Sequence, residues 1–267
     1  MPRKLVKVTP ARLATWVDCR RRYRMNYLDR PTPVKGGPRA VSTMGAVVHN
    51  ALRAYFDLPA ERRTPDAGAA LVTSNWRTDG FADADQAAGY RDRAREWVAD
   101  YLAELDPRLD PIGVERWVSA PVGRIVAEGR VDRIDLRGDE LVIVDYKTGR
   151  HALSTDDARG SQALALYAVA ARRTLRRPAF QVELHHLPTG SVLAWTHTQE
   201  SLDRHLRRAE ETAIELADAT DALAAGGDPE VLFPPTTGRQ CAWCDFRRHC
   251  PEGQAAAPEV EPWAALG

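Results

Sequence analysis

The hydrophobic positions change period several times along the chain, and the changes divide it into elements. Thr9 and Pro10 form a cap and a first turn. Leu13, Trp16, Val17, Tyr23 and Tyr27 then recur at roughly helical spacing as far as Pro31, predicting one helix. "KGGPRAVS" reads as a loop, and the next helix runs from about Ser42 to Asp57. Helical spacing resumes from about Asp66 to Leu105, with a break near Asp79-Gly80. From Gly113 to Tyr146 the period falls to two, the mark of strands. "TDDARGSQALALYAVAARRTL" returns to helix. "AFQVELHHLP" and "GSVLAWTHT" form two more strands around Pro188-Thr189-Gly190. A long charged helix spans about Gln199 to Ala225, and a cysteine-bearing loop region, "FPPTTGRQCAWCDFRRHCPEG", follows. The segment 254–267, rich in Ala and Pro, is expected to be a flexible tail. Helices, then strands, then helix, strands and helix predict an α/β fold. Residues 1–253 form a single domain in this reading, with a helical insertion at 66–110.

The strand region contains "GRVDRIDLRGDELVIVDYKTG", a hairpin closed by Gly138-Asp139. That turn sets Asp132 directly opposite Asp145, and opposed side chains share a face about 5 Å apart. Like charges there are destabilising, unless a divalent cation bridges them; oxygen ligands suit Mg²⁺ or Mn²⁺. Lys147 shares the face, two residues beyond Asp145. Metal, carboxylates and lysine together suit hydrolysis of a phosphodiester. An exposed hairpin with scattered salt bridges has the same local pattern, given a one-residue slip in register.

Composition adds less. Of 267 residues 44% are hydrophobic and 28% charged, enough for a substantial core, and the net charge is zero. Residues 1–40, however, hold eleven Lys or Arg against two acids, so the remainder is equally negative. A basic end suits a polyanion such as DNA, or is a solvated surface. No apolar run resembles a signal peptide or a membrane span, so a cytoplasmic protein is expected. Four cysteines in a reducing compartment suit metal better than disulfides. No phosphate-binding G-x-x-x-x-G-K-[ST] loop is present, so an ATP-driven motor would have to be a separate helicase.

"GRVDRI" followed by "VDYKTG" resembles the two catalytic motifs of the RecB-like, CRISPR-associated-exonuclease-like branch of the PD-(D/E)XK nucleases. "VTPARLATWVDCRRRYRMNYL", "MGAVVHNAL" and "CAWCDFRRHC" resemble further motifs of that family, in the same order. The resemblance implies a restriction-endonuclease-like core, with a central mixed sheet flanked by helices. It implies a Mg²⁺- or Mn²⁺-dependent deoxyribonuclease in DNA repair, recombination or CRISPR adaptation. Asp132, Asp145 and His49 would hold the metal, with the Tyr146 carbonyl and with Glu115 at an acidic position ahead of the motif pair. Lys147 would be the catalytic lysine. The family places a tyrosine four residues after a glutamine on the next helix; here Gln162 precedes Tyr167 by five, so either Gln162 reaches the site from the helix start or Ala163 stands in its place. Cys19 with Cys241, Cys244 and Cys250 resembles a [4Fe–4S] staple joining the two ends of the domain, 236–252 packing on 9–30; zinc or free buried thiols are the alternatives. The staple would gather Arg20, Arg21, Arg22 and Arg24 beside Arg247, Arg248 and His249 as a phosphate-binding surface. Trp16, Tyr23, Tyr27, Trp243 and Phe246 would stack on bases or pack around the cluster. The rival readings are a non-catalytic DNA-binding subunit of a repair complex, and a zinc protein with an unrelated hydrolase activity.

Overall fold

The computed structural model describes residues 5–266; Arg3 and Lys4 of the basic end lie outside the described residues. The chain opens with a short strand, β1 (Val6–Val8), which the sequence pattern does not reveal. Where one helix is predicted there are two, α1 (Pro10–Asp18) and α2 (Arg20–Tyr27). The break is Cys19, extended at φ −164° and ψ 116°, whose sulfur accepts the Arg22 backbone N–H and caps α2. Then come α3 (Ala40–Phe56), α4 (Pro65–Ser74) and α5 (Ala84–Ala103). Thr64 and Asp83 cap the last two through side-chain oxygens. The break between them needs Gly80, at φ +83°: a Cβ there would lie 2.6 Å from Ala40 N and Pro38 O.

Three strands follow, β2 (Gly113–Val122), β3 (Ile125–Arg137) and β4 (Glu140–Lys147). The helix predicted after them is split by Ser161 into α6 (Thr155–Gly160) and α7 (Gln162–Leu175), and Ser161 caps α7. The chain continues through β5 (Gln181–His186), β6 (Ser191–Thr196), α8 (Gln199–Ala224) and α9 (Pro229–Leu232). Two short 3₁₀ turns at Arg239–Trp243 and Arg247–His249 carry the cysteines into α10 (Pro251–Ala256).

The described strands form one mixed sheet with β3 as its hub. β2 runs antiparallel along one edge of β3. The other edge is shared by β1, parallel at Ile125–Ala127, and β4, antiparallel at Arg133–Arg137. β4 passes to β5 in parallel, and β5 to β6 antiparallel. The hairpin register, Arg133 with Val144 and Arg137 with Glu140, is the one the Gly138-Asp139 turn predicts. Leu141 and Ile143 pack into the core on the α7 and α8 face; Val142, Val144 and Tyr146 pack toward α3 and α5. Both faces of β4 are thus covered, which explains the unbroken run Leu141–Val144. By alternation Asp145 and Lys147 follow Ile143, and Asp132 follows Ile134, onto the α7 face. This mixed α/β architecture, a central mixed sheet flanked by helices, is the one expected of a restriction-endonuclease-like core.

The end of the chain departs from the expected loose tail. The Ala40 N–H donates to Pro262 O at 3.2 Å, Tyr90 Oη donates to Leu266 O at 3.2 Å, and Leu266 packs against the α3–α5 core. Among the described residues no helix is long and apolar enough to cross a membrane.

Candidate active site

β2 places Glu115 across from Asp132, between the pairs Val114–Arg133 and Arg116–Val131. Glu115 adopts φ +48°, a left-handed conformation that costs energy in a residue with a Cβ. Its Oε1 lies 3.8 Å from His49 Nδ1, and Arg130 holds Oε2 at 2.7 Å. His49 comes from α3, with Nδ1 3.4 Å from Asp132 Oδ2 and Nε2 3.2 Å from the Tyr146 carbonyl. The Tyr146 N–H donates to Asp132 Oδ2 at 2.9 Å. His49, Glu115 and Asp132 therefore offer ligand atoms within 4.8 Å of one another, the one such group among the described residues. Burial alone would lower the pKa of His49, but hydrogen bonds to Asp132 and Glu115 and the charges of Asp132 and Asp145 carry it up to about 10. The acids thus favour a cation at this ring, whether a proton or a metal in its place.

Asp145 stands beside this group rather than inside it, ion-paired with Lys147. Burial and the neighbouring Asp132 charge push its carboxyl up; Lys147 and His49 pull the other way. Tyr167, on α7, packs against Gly129 of β3, where a Cβ would meet its ring at 2.6 Å. Burial, first, and the charges of Asp145 and Asp132 push its hydroxyl up to about 12. Gln162 opens α7, and its buried Nε2 has no hydrogen-bond partner. Two residues escaped the sequence reading. Arg130 braces Glu115, and Gly45 lets α3 approach the loop after Lys147, since a Cβ there would sit 3.2 Å from Thr148 Oγ1. A glycine inside a helix, four residues before His49, was the available signal for the second.

The four cysteines are free of disulfides and line one small cavity of about 30 Å³, together with Arg21, Met25 and Phe246. Backbone N–H groups of Arg22 and Thr236 point at Cys19 Sγ (3.5 and 3.4 Å), and that of Gly253 at Cys250 Sγ (3.4 Å). A Cβ on Gly253 would lie 3.3 Å from the sulfur of Cys250 and 3.6 Å from that of Cys241. No three cysteine sulfurs come within 4.8 Å of one another.

The basic run of α2 is not the open phosphate-binding surface expected of it. Arg21 and Arg24 are buried, at 6% and 9% exposure. Arg21 pairs with Glu230 and Glu252, and Arg24 with Glu230 and Asp29. Arg20 meets Glu215 at 2.8 Å, and Arg22 meets Asp18 at 2.9 Å. Most of these partners lie some 200 residues later in the chain, so a local count of charges could not see them. Arg247 donates to the carbonyls of Gly253 and Gln254; Arg248 and His249 remain exposed. Trp16 and Tyr23 pack edge-to-face against each other, and Trp16 likewise against Phe233. Tyr27 leans on Tyr23, and Trp243 lies partly exposed under Arg39.

Comparison with known proteins gives a family match across most of the chain and a weaker match in fold. A "Putative exonuclease" from Eubacterium rectale superposes with a TM-score of 0.51 at 11% identity, over 90% of this chain and 86% of that one. SSO0001 superposes at 0.40 with 12% identity, over 94% and 88%. No curated protein matches the sequence significantly. Residues 7–251 match the PD-(D/E)XK nuclease superfamily, and the chain belongs to that superfamily.

Proposed function

We propose that the chain is a metal-dependent DNA nuclease of the RecB-like branch, hydrolysing phosphodiester bonds, most simply as an exonuclease. The observation that carries this reading is the meeting of His49, Glu115 and Asp132 within 4.8 Å, beside the Asp145–Lys147 pair. One nitrogen and several carboxylate oxygens fit Mn²⁺ or Mg²⁺. His49, Asp132 and Glu115, which the fold brings together, would hold the ion, and Asp145 would join them on turning from Lys147. The bound ion would lower the pKa of a water and polarise a phosphoryl oxygen. The chain's own residues do the rest. The Tyr146 carbonyl fixes the tilt of the His49 ring, as a metal-binding imidazole requires. Lys147 offsets negative charge developing on the phosphate. Tyr167 and the unpartnered amide of Gln162 supply donors for the substrate.

Asp145→Ala tests the reading on linear single- and double-stranded DNA with Mn²⁺. The expected loss is at least about 100-fold; an undiminished rate refutes it.

The cysteines would hold a [4Fe–4S] cluster. Four thiols converge on one cavity, and backbone N–H groups address their sulfurs. A zinc tetrahedron with bonds of about 2.3 Å would bring the sulfurs within about 3.8 Å of one another, whereas no three of them lie within 4.8 Å. Anaerobically purified protein should be brown, with about four irons per chain; one zinc and no iron would exclude the cluster. The proposed setting is DNA repair, recombination or CRISPR adaptation in the cytoplasm, beside a separate helicase.

A further inference from the structure

Beyond β5 the sheet ends in the edge strand β6, and between β6, α6 and α8 lies a cleft of about 470 Å³. Arg159, Trp195, Ser201, Arg204, His205 and Arg208 supply most of its wall, and no carboxylate lines it. The Arg159 guanidinium lies 5.6 Å over the Trp195 ring. The Arg159 carbonyl is tied to His205 Nε2 at 3.2 Å, which fixes α6 against α8. Asp156 and Glu200 do pair with Arg159 and Arg204, but from solvent: their side chains are 77% and 81% exposed. Exposed pairs of this kind are weak and exchange readily for a stronger anion. Arg208 has no carboxylate at ion-pair distance among the described residues. Two buried ring nitrogens beside the cleft, Trp195 Nε1 and His197 Nε2, also have no hydrogen-bond partner.

The register of the sheet relates this cleft to the acids. Asp145 pairs with Leu184, and Leu184 with Leu193, so all three side chains share a face; Trp195, two residues on, shares it too. Two strand spacings across and two residues along separate Asp145 from Trp195 by about 12 Å. α6 follows the loop that leaves Lys147, and Gln162 comes three residues after Arg159. Arg204 and Arg208, one helical turn apart, rise about 6 Å along α8, a spacing that suits neighbouring phosphates of an extended strand.

We propose that this cleft holds the sugar–phosphate backbone of a nucleic-acid strand on one side of the cleavage centre, the arginines pairing with consecutive phosphates and Trp195 offering a stacking surface. The inference rests on the nuclease reading and locates part of its substrate track. The probe is a fluorescein-labelled single-stranded DNA of about 20 nucleotides, bound without added divalent metal and followed by anisotropy over a range of salt. R159E/R208E should weaken binding at least about tenfold, and the loss of two phosphate contacts should flatten the salt slope by about 1.4. R204E/R208E, confined to the exposed face of α8, should weaken it similarly should the first variant fold poorly. R77E/R108E, with the same charge change on exposed residues elsewhere, should bind like the parent. With Mn²⁺, hydrolysis of bis(p-nitrophenyl) phosphate should be unchanged in both cleft variants, because so small an ester does not reach the cleft. Parental affinity in both cleft variants, an equal loss in the control, or an equal loss on the small ester would overturn the proposal. Should the parent cleave neither DNA nor the small ester, the nuclease reading fails, while the anisotropy comparison still decides the cleft.

Discussion

Among the described residues Arg133 is the largest side chain that the fold hides completely, at 1% exposure, on the strand residue next to Asp132. It reaches Asp135 at 2.9 Å and donates to the hydroxyls of Tyr101 and Tyr146 at 2.8 and 3.0 Å. Tyr146 separates Asp145 from Lys147, so this charge anchors the strand that carries both. Arg133→Met should destabilise the protein by about 3 kcal/mol in denaturant titrations, because buried Asp135 would keep only the longer Arg137 contact at 3.4 Å and two buried hydroxyls would lose their donor; a loss under 1 kcal/mol would show that the pair is dispensable. Gly129→Ala belongs to the same scale. The added methyl meets the Tyr167 ring, so the ring must move, and DNA cleavage should fall further than the melting temperature alone explains. At this scale the sequence was legible where a short-range rule applies. The two-residue turn placed Asp132 and Asp145, and period two placed Lys147 on their face. Glu115 entered only through the family resemblance, since its reach toward His49 accompanies a backbone conformation no pattern announces, and the remote partners that bury Arg21 were not visible at all.

Among elements, β5 shows how a buried strand acquires polar residues. Glu183 and His185 face the Arg133 network, although most of the strand is hidden. His185 Nε2 donates to Glu183 at 2.9 Å, and its Nδ1 accepts from Tyr101 at 2.8 Å. Arg137 grips both oxygens of Glu183 at 2.6 and 2.9 Å. Burial alone would raise the Glu183 pKa, but the hydrogen bonds from His185 and Arg137 bring it down from 4.5 to about 2. A carboxyl lowered on folding stabilises the protein above its unfolded value, and that contribution disappears as pH falls from about 4.5 toward 2. Denaturation midpoints measured through that window should drop steeply in the parent and less steeply in Glu183→Gln; equal slopes would show that Glu183 is not the group responsible. Helices were legible from spacing, but their ends less so. Cys19 and Ser161 each divide what reads as one periodic run, because a side chain that accepts a backbone N–H starts a new helix there.

For the whole molecule, the two ends of the chain are joined where the sequence shows only a remote cysteine. Cys19 meets Cys241, Cys244 and Cys250 around one cavity, and Arg21 ties α2 to Glu230 and Glu252 on either side of the cysteine segment. Under the cluster proposal, removing iron should loosen both ends together. Limited proteolysis of iron-free protein should therefore cut near Cys19 and in 236–252 first, leaving the sheet intact; protection equal to the parent's would argue that the ion pairs suffice. The final residues have a practical meaning as well. Pro262 and Leu266 clasp α3 and α5, and α3 is the helix that delivers His49. An affinity handle fused beyond Leu266 would pull on that clasp, so purification and labelling are better arranged from the other terminus.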